Sequence, residues 1–431
     1  MDDFATERID ETDMRLTRPW MIAGLILVTP AMAAPGAQAQ LLSGGGGLGA
    51  VGQVVPDTLG KVGAAVDATG LDSLSPARLA DQLAMSRTRR ITKLLRQHGD
   101  SIELDDQRQP ARRGVILLTG ADDVAVAALR VAGYGVVNDR VEGLDLPVAR
   151  LTPPVNRSLS RALRDVRKIA PQAEASADNL YFPSGPALSP LSAALAGNGK
   201  VEGRIAGLID GGVARHPALR AAVEQRGFAQ GAPRASAHGT AVASLISGEG
   251  SIRGAAPGTP LLVADVYGDD PAGGGAFAIV RALGWMAARG VPVVTVSLVG
   301  PANPLLDGAI RLARDKGVTV VAAVGNDGPA APPAYPASYP AVIAVTGIDG
   351  RGRPLAEAGR ALHVDFAAPG ADMQAADSDG GKSAVRGTSF AAPLVAGRLL
   401  ARGSVAALRA EAAPARKGQP PVICPTCRNN D

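Results

Sequence analysis

The segment Val291–Val324, VPVVTVSLVGPANPLLDGAIRLARDKGVTVVAAV, decides the fold. Its two ends, Val291–Leu298 and Val318–Val324, are short, Val-rich and almost continuously apolar, the composition of strands buried on both faces. The stretch between them, Leu305–Lys316, reads as a helix, so the unit is strand, crossover helix, parallel strand. The same alternation extends in both directions. Ile205–Ile209, Leu261–Val266 and Ala341–Val345 are further apolar runs, and Gly274–Ala288 reads as another crossover helix. Residues 200–415 therefore predict an α/β fold with a doubly wound, mostly parallel sheet. In such sheets the functional groups gather just beyond the carboxyl ends of the strands.

Composition narrows the function classes. With 431 residues, 46% hydrophobic and 19% charged, the chain can bury at least one large core. Only 3% of residues are aromatic, which argues against a base-stacking platform, and a net charge of +4 is too small to imply an anionic partner, so no nucleic acid is expected. Gly47, Gly49 and Gly52 match a dinucleotide fingerprint, but no strand precedes them. The two cysteines, Cys424 and Cys427, are confined to the tail 416–431, where they form a local disulfide or stay free.

The amino-terminal part divides into three. Residues 20–29, WMIAGLILVT, are an apolar run too short to span a bilayer, followed by small-residue sites at Ala31-Met32-Ala33 and Ala37-Gln38-Ala39. Residues 1–39 thus read as an export signal, with the basic start restored if translation begins at Met14; an uncleaved anchor is the alternative. Residues 40–74 form a Gly- and Ala-rich linker. Within 75–185, Ser75-Pro76 opens a helix, whose arginines Arg87, Arg89, Arg90 and Arg96 read as a solvated face. Strand and helix signals then alternate to Tyr181, which suits a small two-layer α+β unit of the ferredoxin-like kind.

Chemistry-bearing residues fall at the predicted strand ends and helix starts of the larger region. Asp210 follows the Ile205–Ile209 strand, and Asn326 follows Val318–Val324 after one glycine. His238 opens the helical segment HGTAVASLISG. Ser389 begins another, GTSFAAPLVAGRLL, in which Gly387 allows close backbone approach and Pro393 falls near the helix start, where losing an N–H costs least. A serine nucleophile needs a neutral imidazole to take its proton and a carboxylate to orient that imidazole. The four histidines are His98, His216, His238 and His363, all before Ser389, so the order Ser, acid, His is excluded and Asp210, His238, Ser389 stays open. Singly, each residue has an ordinary alternative: Asp210 and Asn326 as turn residues, Ser389 as an N-cap, His238 as a helix-end residue.

Taken together, GLIDGGVARHPAL, HGTAVASLISG, VVAAVGNDGP, YPASYPAVIAVTG and GTSFAAPLVAG resemble, in order and spacing, the segments of subtilisin-like serine proteases. The resemblance implies a subtilisin-like fold and a serine endopeptidase in which Asp210 orients His238, His238 is general base then acid, and Ser389 is the nucleophile. Asn326 and the backbone N–H of Ser389 would form the oxyanion hole. Gly273, Gly274, Gly275, Ser297, Leu298, Val299, Gly300 and Gly325 resemble the walls and pocket that hold an extended polypeptide substrate. The α+β unit resembles the family's inhibitory pro-region, cleaved within Pro183–Ala196; a permanent N-terminal domain is the alternative.

No cofactor, no dedicated calcium site and no membrane span in the mature form are expected, and the product is read as an exported monomer, periplasmic or extracellular. Gly211 stands where the family usually has Thr or Ser beside the acid, which leaves room for a rival reading as a non-catalytic scaffold of the same fold. Val299 occupies a position that looks like a pocket-lining glycine of the family, and a branched side chain there reduces the volume. In a matched peptide series, cleavage after Ala or Leu should therefore be faster than after Phe or Tyr.

Overall fold

The computed structural model describes residues 75–184, 193–197, 200–414 and 418–430. The expected signal (1–39), the linker (40–74) and most of the expected cleavage segment lie outside the described residues.

Ser75 caps helix α1 (Pro76–Gln97), its hydroxyl accepting from the N–H of Arg78. A β-α-β-β-α-β unit follows a short leading strand, β1 (Ile102–Leu104). Its elements are β2 (Pro110–Thr119), α2 (Asp123–Val131), β3 (Gly135–Val141), β4 (Leu146–Thr152), α3 (Leu159–Ile169) and β5 (Glu174–Asn179). The strands pair antiparallel in the order β5-β2-β4-β3, with β1 beside the start of β2. This is the two-layer arrangement that the alternating signals predict. Because side chains alternate across a strand, Ile116 and Leu118 face α2 and α3 with Leu129, Leu159 and Leu163. Leu117 and Val148 face the other way and join the core of the larger region.

After the two-residue strand β6 (Phe182–Pro183) the larger region begins. Its sheet has seven strands: β7 (Ala206–Asp210), β8 (Val223–Gly227), β9 (Leu261–Asp265), β10 (Val293–Val296), β12 (Thr319–Ala323), β13 (Val342–Ile348) and β14 (Phe366–Pro369). The short β11 (Leu298–Val299) lies outside this sheet and pairs with β6. The order is β14-β13-β12-β10-β7-β9-β8 and every pair is parallel. Both faces are buried, as the apolar runs require. Val294, Val296, Val320 and Ala322 meet helices α5 (Ala276–Ala288) and α6 (Pro304–Asp315) on one side. Leu208, Val293, Val321 and Ala323 meet α4 (Ala237–Ser247) and α7 (Thr388–Arg402) on the other. Burying each of these valine and leucine side chains contributes about 1.5–3 kcal/mol before conformational entropy is counted.

Two strands lacked a sequence signal, and both are edges. VEQRG of β8 is mostly polar, because only one neighbour and one face need satisfying. FAAP of β14 is short and ends in proline, and the tail covers its edge: Ala367 N–H donates to Pro421 O and Ile423 N–H to Ala367 O. In the same tail Cys424 and Cys427 are joined as a disulfide. Among the described residues no single helix is long and apolar enough to cross a membrane.

The winding direction sets the site. From β7 the chain crosses to the edge at β8, returns to β9 beside β7, and then runs outward through β10, β12, β13 and β14 on the opposite side. The switch point therefore lies between β7 and β10, and a crevice opens beyond their carboxyl ends.

Candidate active site

Asp210 is the last residue of β7, fully buried at that crevice. His238 is carried there by α4, which starts where Ser236 caps the helix by accepting from Gly239 N–H (2.9 Å). Thr240 ties the same turn down, donating to Ser236 O (2.7 Å) and accepting from Ala214 N–H (2.9 Å). The result is a buried contact in which His238 Nδ1 lies 2.9 Å from both Asp210 oxygens. A carboxylate only accepts, so Nδ1 carries the proton and Nε2 is left as the basic nitrogen. Gly211 does not leave Asp210 loose, because its own backbone N–H donates to Oδ1 (2.7 Å).

Ser389 is the second residue of α7 and is fully buried. Its Oγ donates to the carbonyl of Ser297 (3.2 Å), not to His238, and Nε2 is buried without a hydrogen-bond partner among the described residues. Turning about one side-chain bond moves a serine oxygen between staggered positions, so the carbonyl of Ser297 holds the hydroxyl in one of them. Pro393 departs from expectation. It is the sixth residue of α7, inside the helix rather than in the first turn, and its missing N–H leaves the carbonyl of Ser389 without the usual intrahelical donor. The hydroxyl of Ser297 fills the gap, donating to Ser389 O at 3.0 Å.

Asn326 lies beyond β12 in a fixed orientation. Its Oδ1 accepts from Thr388 N–H (3.0 Å), which forces Nδ2 to the opposite side, where it donates to the carbonyl of Ser184. Gly387, at φ +135°, lies against this pair, and a Cβ there would sit 2.6 Å from Asn326 Nδ2 and 3.0 Å from Ser184 O. Only glycine leaves the amide free to reach a carbonyl.

Ser184 belongs to the segment that fills the crevice. β6 pairs antiparallel with β11, matching Phe182 to Val299 and Pro183 to Leu298, and Ser184 N–H donates to Ser297 O (3.1 Å). On the opposite side Tyr181 N–H donates to Gly274 O (2.9 Å) and Leu180 bridges Gly275. The predicted walls thus come together around a strand of the chain itself. Gly273 stands one residue back from it, in a turn closed by its N–H to Asp270 O (2.8 Å). Val299 lies against Gly325, a methyl 3.3 Å from where a Cβ would be. Beside them a cavity of about 280 Å³ is bounded by Ser184, Val299, Gly325, Asn326 and α1.

That helix corrects the reading of two of its arginines, Arg87 and Arg90, while Arg89 and Arg96 are exposed as expected. Arg90 pairs with Asp327 at 2.8 Å and Arg87 with the same carboxylate at 3.4 Å, directly after Asn326, while Leu79 and Leu83 pack on Ala356. No local pattern points to these partners, 237 residues apart in the case of Arg90 and Asp327. Two more carboxylates at the site carry no local sequence signal. Asp178 of β5 is buried, accepts from Phe277 N–H at the start of α5 (2.9 Å) and meets Arg112, which also reaches Asp270 at 2.7 Å. Burial pushes the Asp178 carboxyl above its ordinary range, and the hydrogen bond from Phe277 and the charge of Arg112 pull it back. Asp265 sits beside Asp210 across the sheet and holds the backbone N–H groups of Arg234, Tyr267 and Gly268; burial raises it too, against those bonds. Among the described residues no group of three or more His, Cys, Asp or Glu is placed to hold a metal ion.

Comparison with known proteins follows the same residues. The profile of the subtilase family matches residues 202–407. Subtilisin BL of Lederbergia lenta is 33% identical over 201 residues, 44% of this chain and 72% of that protein. The major intracellular serine protease of Bacillus subtilis (strain 168) is 34% identical over 171 residues, 38% of this chain and 53% of that protein. Among solved structures, fervidolysin from Fervidobacterium pennivorans, described as a keratinolytic enzyme related to subtilisin, covers 67% of this chain and 54% of its own. Its TM-score is 0.55 at 19% identity, a likeness of fold.

The Ser297 hydroxyl and Pro393 together generate a stability prediction. Ser297→Ala should leave the buried carbonyl of Ser389 unpaired and lower stability by about 1–3 kcal/mol, measured by urea unfolding against a Ser389→Ala parent.

Proposed function

This chain belongs to the subtilase family, and we propose that it is a serine endopeptidase made as a precursor that cuts itself between Ser184 and Gly185. One observation carries the reading: the carbonyl of Ser184 accepts from the Asn326 amide while its N–H is held by Ser297, the pose of a residue whose bond is about to be cut. A product strand held in the same cleft would keep substrate out, so the α+β unit acts as an inhibitor until it leaves.

The steps use groups already named. Ser389 Oγ swings from the Ser297 carbonyl toward His238, gives its proton to Nε2 and attacks the carbonyl carbon. Asp210 steadies the imidazolium, and Asn326, with the N–H of Ser389 at the start of α7, takes the charge on the oxygen. The C–N bond breaks, and the departing amine receives the proton from Nε2. Water, deprotonated by the same nitrogen, then releases the acyl group and restores Ser389. No step needs a metal or cofactor. Residues 14–39 support export of this precursor, and a matured form without residues 1–184 would be the working enzyme on polypeptides.

The rival reading, a non-catalytic scaffold, draws on the hydrogen bond of Ser389 to Ser297 in place of His238. Labelling of the matured form by a fluorophosphonate separates the two, since an unactivated serine does not react.

Wild-type protein should yield a form whose first residue is Gly185 and which hydrolyses casein, whereas Ser389→Ala should stay uncut and inactive; N-terminal sequencing and a casein assay read both. A processed Ser389→Ala chain, purified away from other peptidases, would overturn self-cleavage. Asn326→Ala should lower turnover of the matured enzyme by about 10²- to 10³-fold, the cost of one oxyanion donor, with KM changing far less.

A further inference from the structure

The tail beyond residue 407 is not covered by the subtilase profile, yet it is bonded to a loop on which the oxyanion site leans. Arg428 is partly buried there, and its guanidinium donates to two carbonyls, Ala371 O through Nη1 (2.5 Å) and Asp349 O through Nη2 (2.6 Å). These carbonyls follow β14 and β13, so one planar fork ties the carboxyl ends of two neighbouring strands. Gly370, the residue before Ala371, donates to Ile348 O (2.9 Å) and accepts from Gly387 N–H (2.7 Å). Gly387 in turn lies against the Asn326 amide and leads into Thr388, whose N–H holds Asn326 Oδ1. The tail is itself set by the disulfide. Cys424 and Cys427 close a turn in which Cys427 N–H donates to Cys424 O (3.0 Å) and Arg428 N–H to Thr426 O (2.9 Å). Cys424 holds φ +50° in this turn, a left-handed value that a residue with a Cβ adopts only when its surroundings compel it. Arg428 follows at once, its carbonyl accepting from Gln374 N–H (2.9 Å).

We propose that Arg428, aimed by the disulfide beside it, is a positioning residue for the oxyanion site: it fixes Gly370 and, through Gly387, the place at which the Asn326 amide meets the substrate carbonyl. The proposal rests on the peptidase reading and adds a redox dependence to the same site. Reduction by a dithiol breaks the S–S bond, gives each sulfur a proton and leaves the reductant as a cyclic disulfide. The turn then loses its closure, Cys424 is free to relax, and Arg428 loses its aim. Because the amide acts on charge that develops during the reaction, displacing it lowers kcat and leaves KM nearly unchanged. A brace that served stability alone would move the unfolding midpoint and leave kcat per folded site where it was.

The test uses the matured enzyme and a chromogenic peptide, with kcat counted per fluorophosphonate-labelled site so that unfolded chains do not enter. Arg428→Ala should lower kcat about tenfold, less than the ~10²-fold or more for deleting the donor itself, with KM within about twofold. In an Asn326→Ala background the same substitution should cost less than about twofold, since the amide it positions is gone. Arg428→Lys should restore little, because a point charge does not reproduce the planar fork. The chain has only two cysteines, so a reductant has a single disulfide to open. Reduced wild-type enzyme should lose kcat several-fold, regaining it on reoxidation, and the Cys424→Ser, Cys427→Ser double variant should match it and ignore the reductant. Should Arg428→Ala take up no label, this reduction arm alone decides. Equal losses in both Asn326 backgrounds, full kcat per site in Arg428→Ala, or reduced enzyme as active as oxidised would each overturn the proposal and leave the peptidase reading standing. Wild-type protein that neither takes the label nor cuts the peptide would overturn the peptidase reading itself, and this inference with it.

Discussion

The antiparallel pairing of Phe182–Pro183 with Leu298–Val299 sets the register on which the site depends. A shift by one residue would turn each side chain to the opposite side and move the carbonyl of Ser184 off the Asn326 amide. Two things hold the register: backbone bonds on both walls, that from Ser184 N–H to Ser297 O among them, and the ring of Tyr181, anchored through its hydroxyl to the carbonyl of Pro301. The cleft therefore presents a carbonyl to Asn326 by main-chain geometry, and the side chains determine which peptides can do so.

Behind this cleft the sheet acts as the rigid reference. Asp210 ends β7 and Ser297 follows β10, the adjacent strands at which the winding reverses. Both sit in fully packed surroundings where small displacements are resisted. The two helices that bring His238 and Ser389 are tied to these strand ends by short polar links, Thr240 to Ala214 in one case and Ser297 to Ser389 in the other. An interior proline in α7 is tolerated because the carbonyl it orphans becomes the anchor point for that second link. A backbone defect is thus converted into a connection between α7 and the residue that follows β10.

The sequence made some of this legible and hid the rest for physical reasons. Strands buried on two faces have to be apolar runs, so β7, β9, β10, β12 and β13 could be read, whereas the edges β8 and β14 face fewer constraints and carry no such mark. Asp210, His238, Asn326 and Ser389 stood out because their chemistry demands particular residue types at strand ends and helix starts. Ser184 and Tyr181 did not, since Ser184 meets the Asn326 amide through its backbone carbonyl and the phenol of Tyr181 has meaning only against Pro301. Arg87 and Arg90 looked like a wet helix face because a long-range ion pair leaves no local pattern. Pro393 departs from expectation for a different reason: even in a helix starting at Ser389 it is the fifth residue, just past the four N–H groups that a helix start leaves free.

The anchoring of α1 bears on how a nicked molecule would come apart. Arg87 and Arg90 on Asp327, Leu79 and Leu83 on Ala356, and Arg112 between Asp178 and Asp270 are all contacts that do not pass through the bond after Ser184. Severing the chain at that point removes a covalent tether and leaves each of these clasps fastened. Liberation of the cleft is then a separate event from scission, governed by how slowly a multipoint grip lets go, and anything that digests or unravels the detached piece would set the clock for the enzyme becoming available.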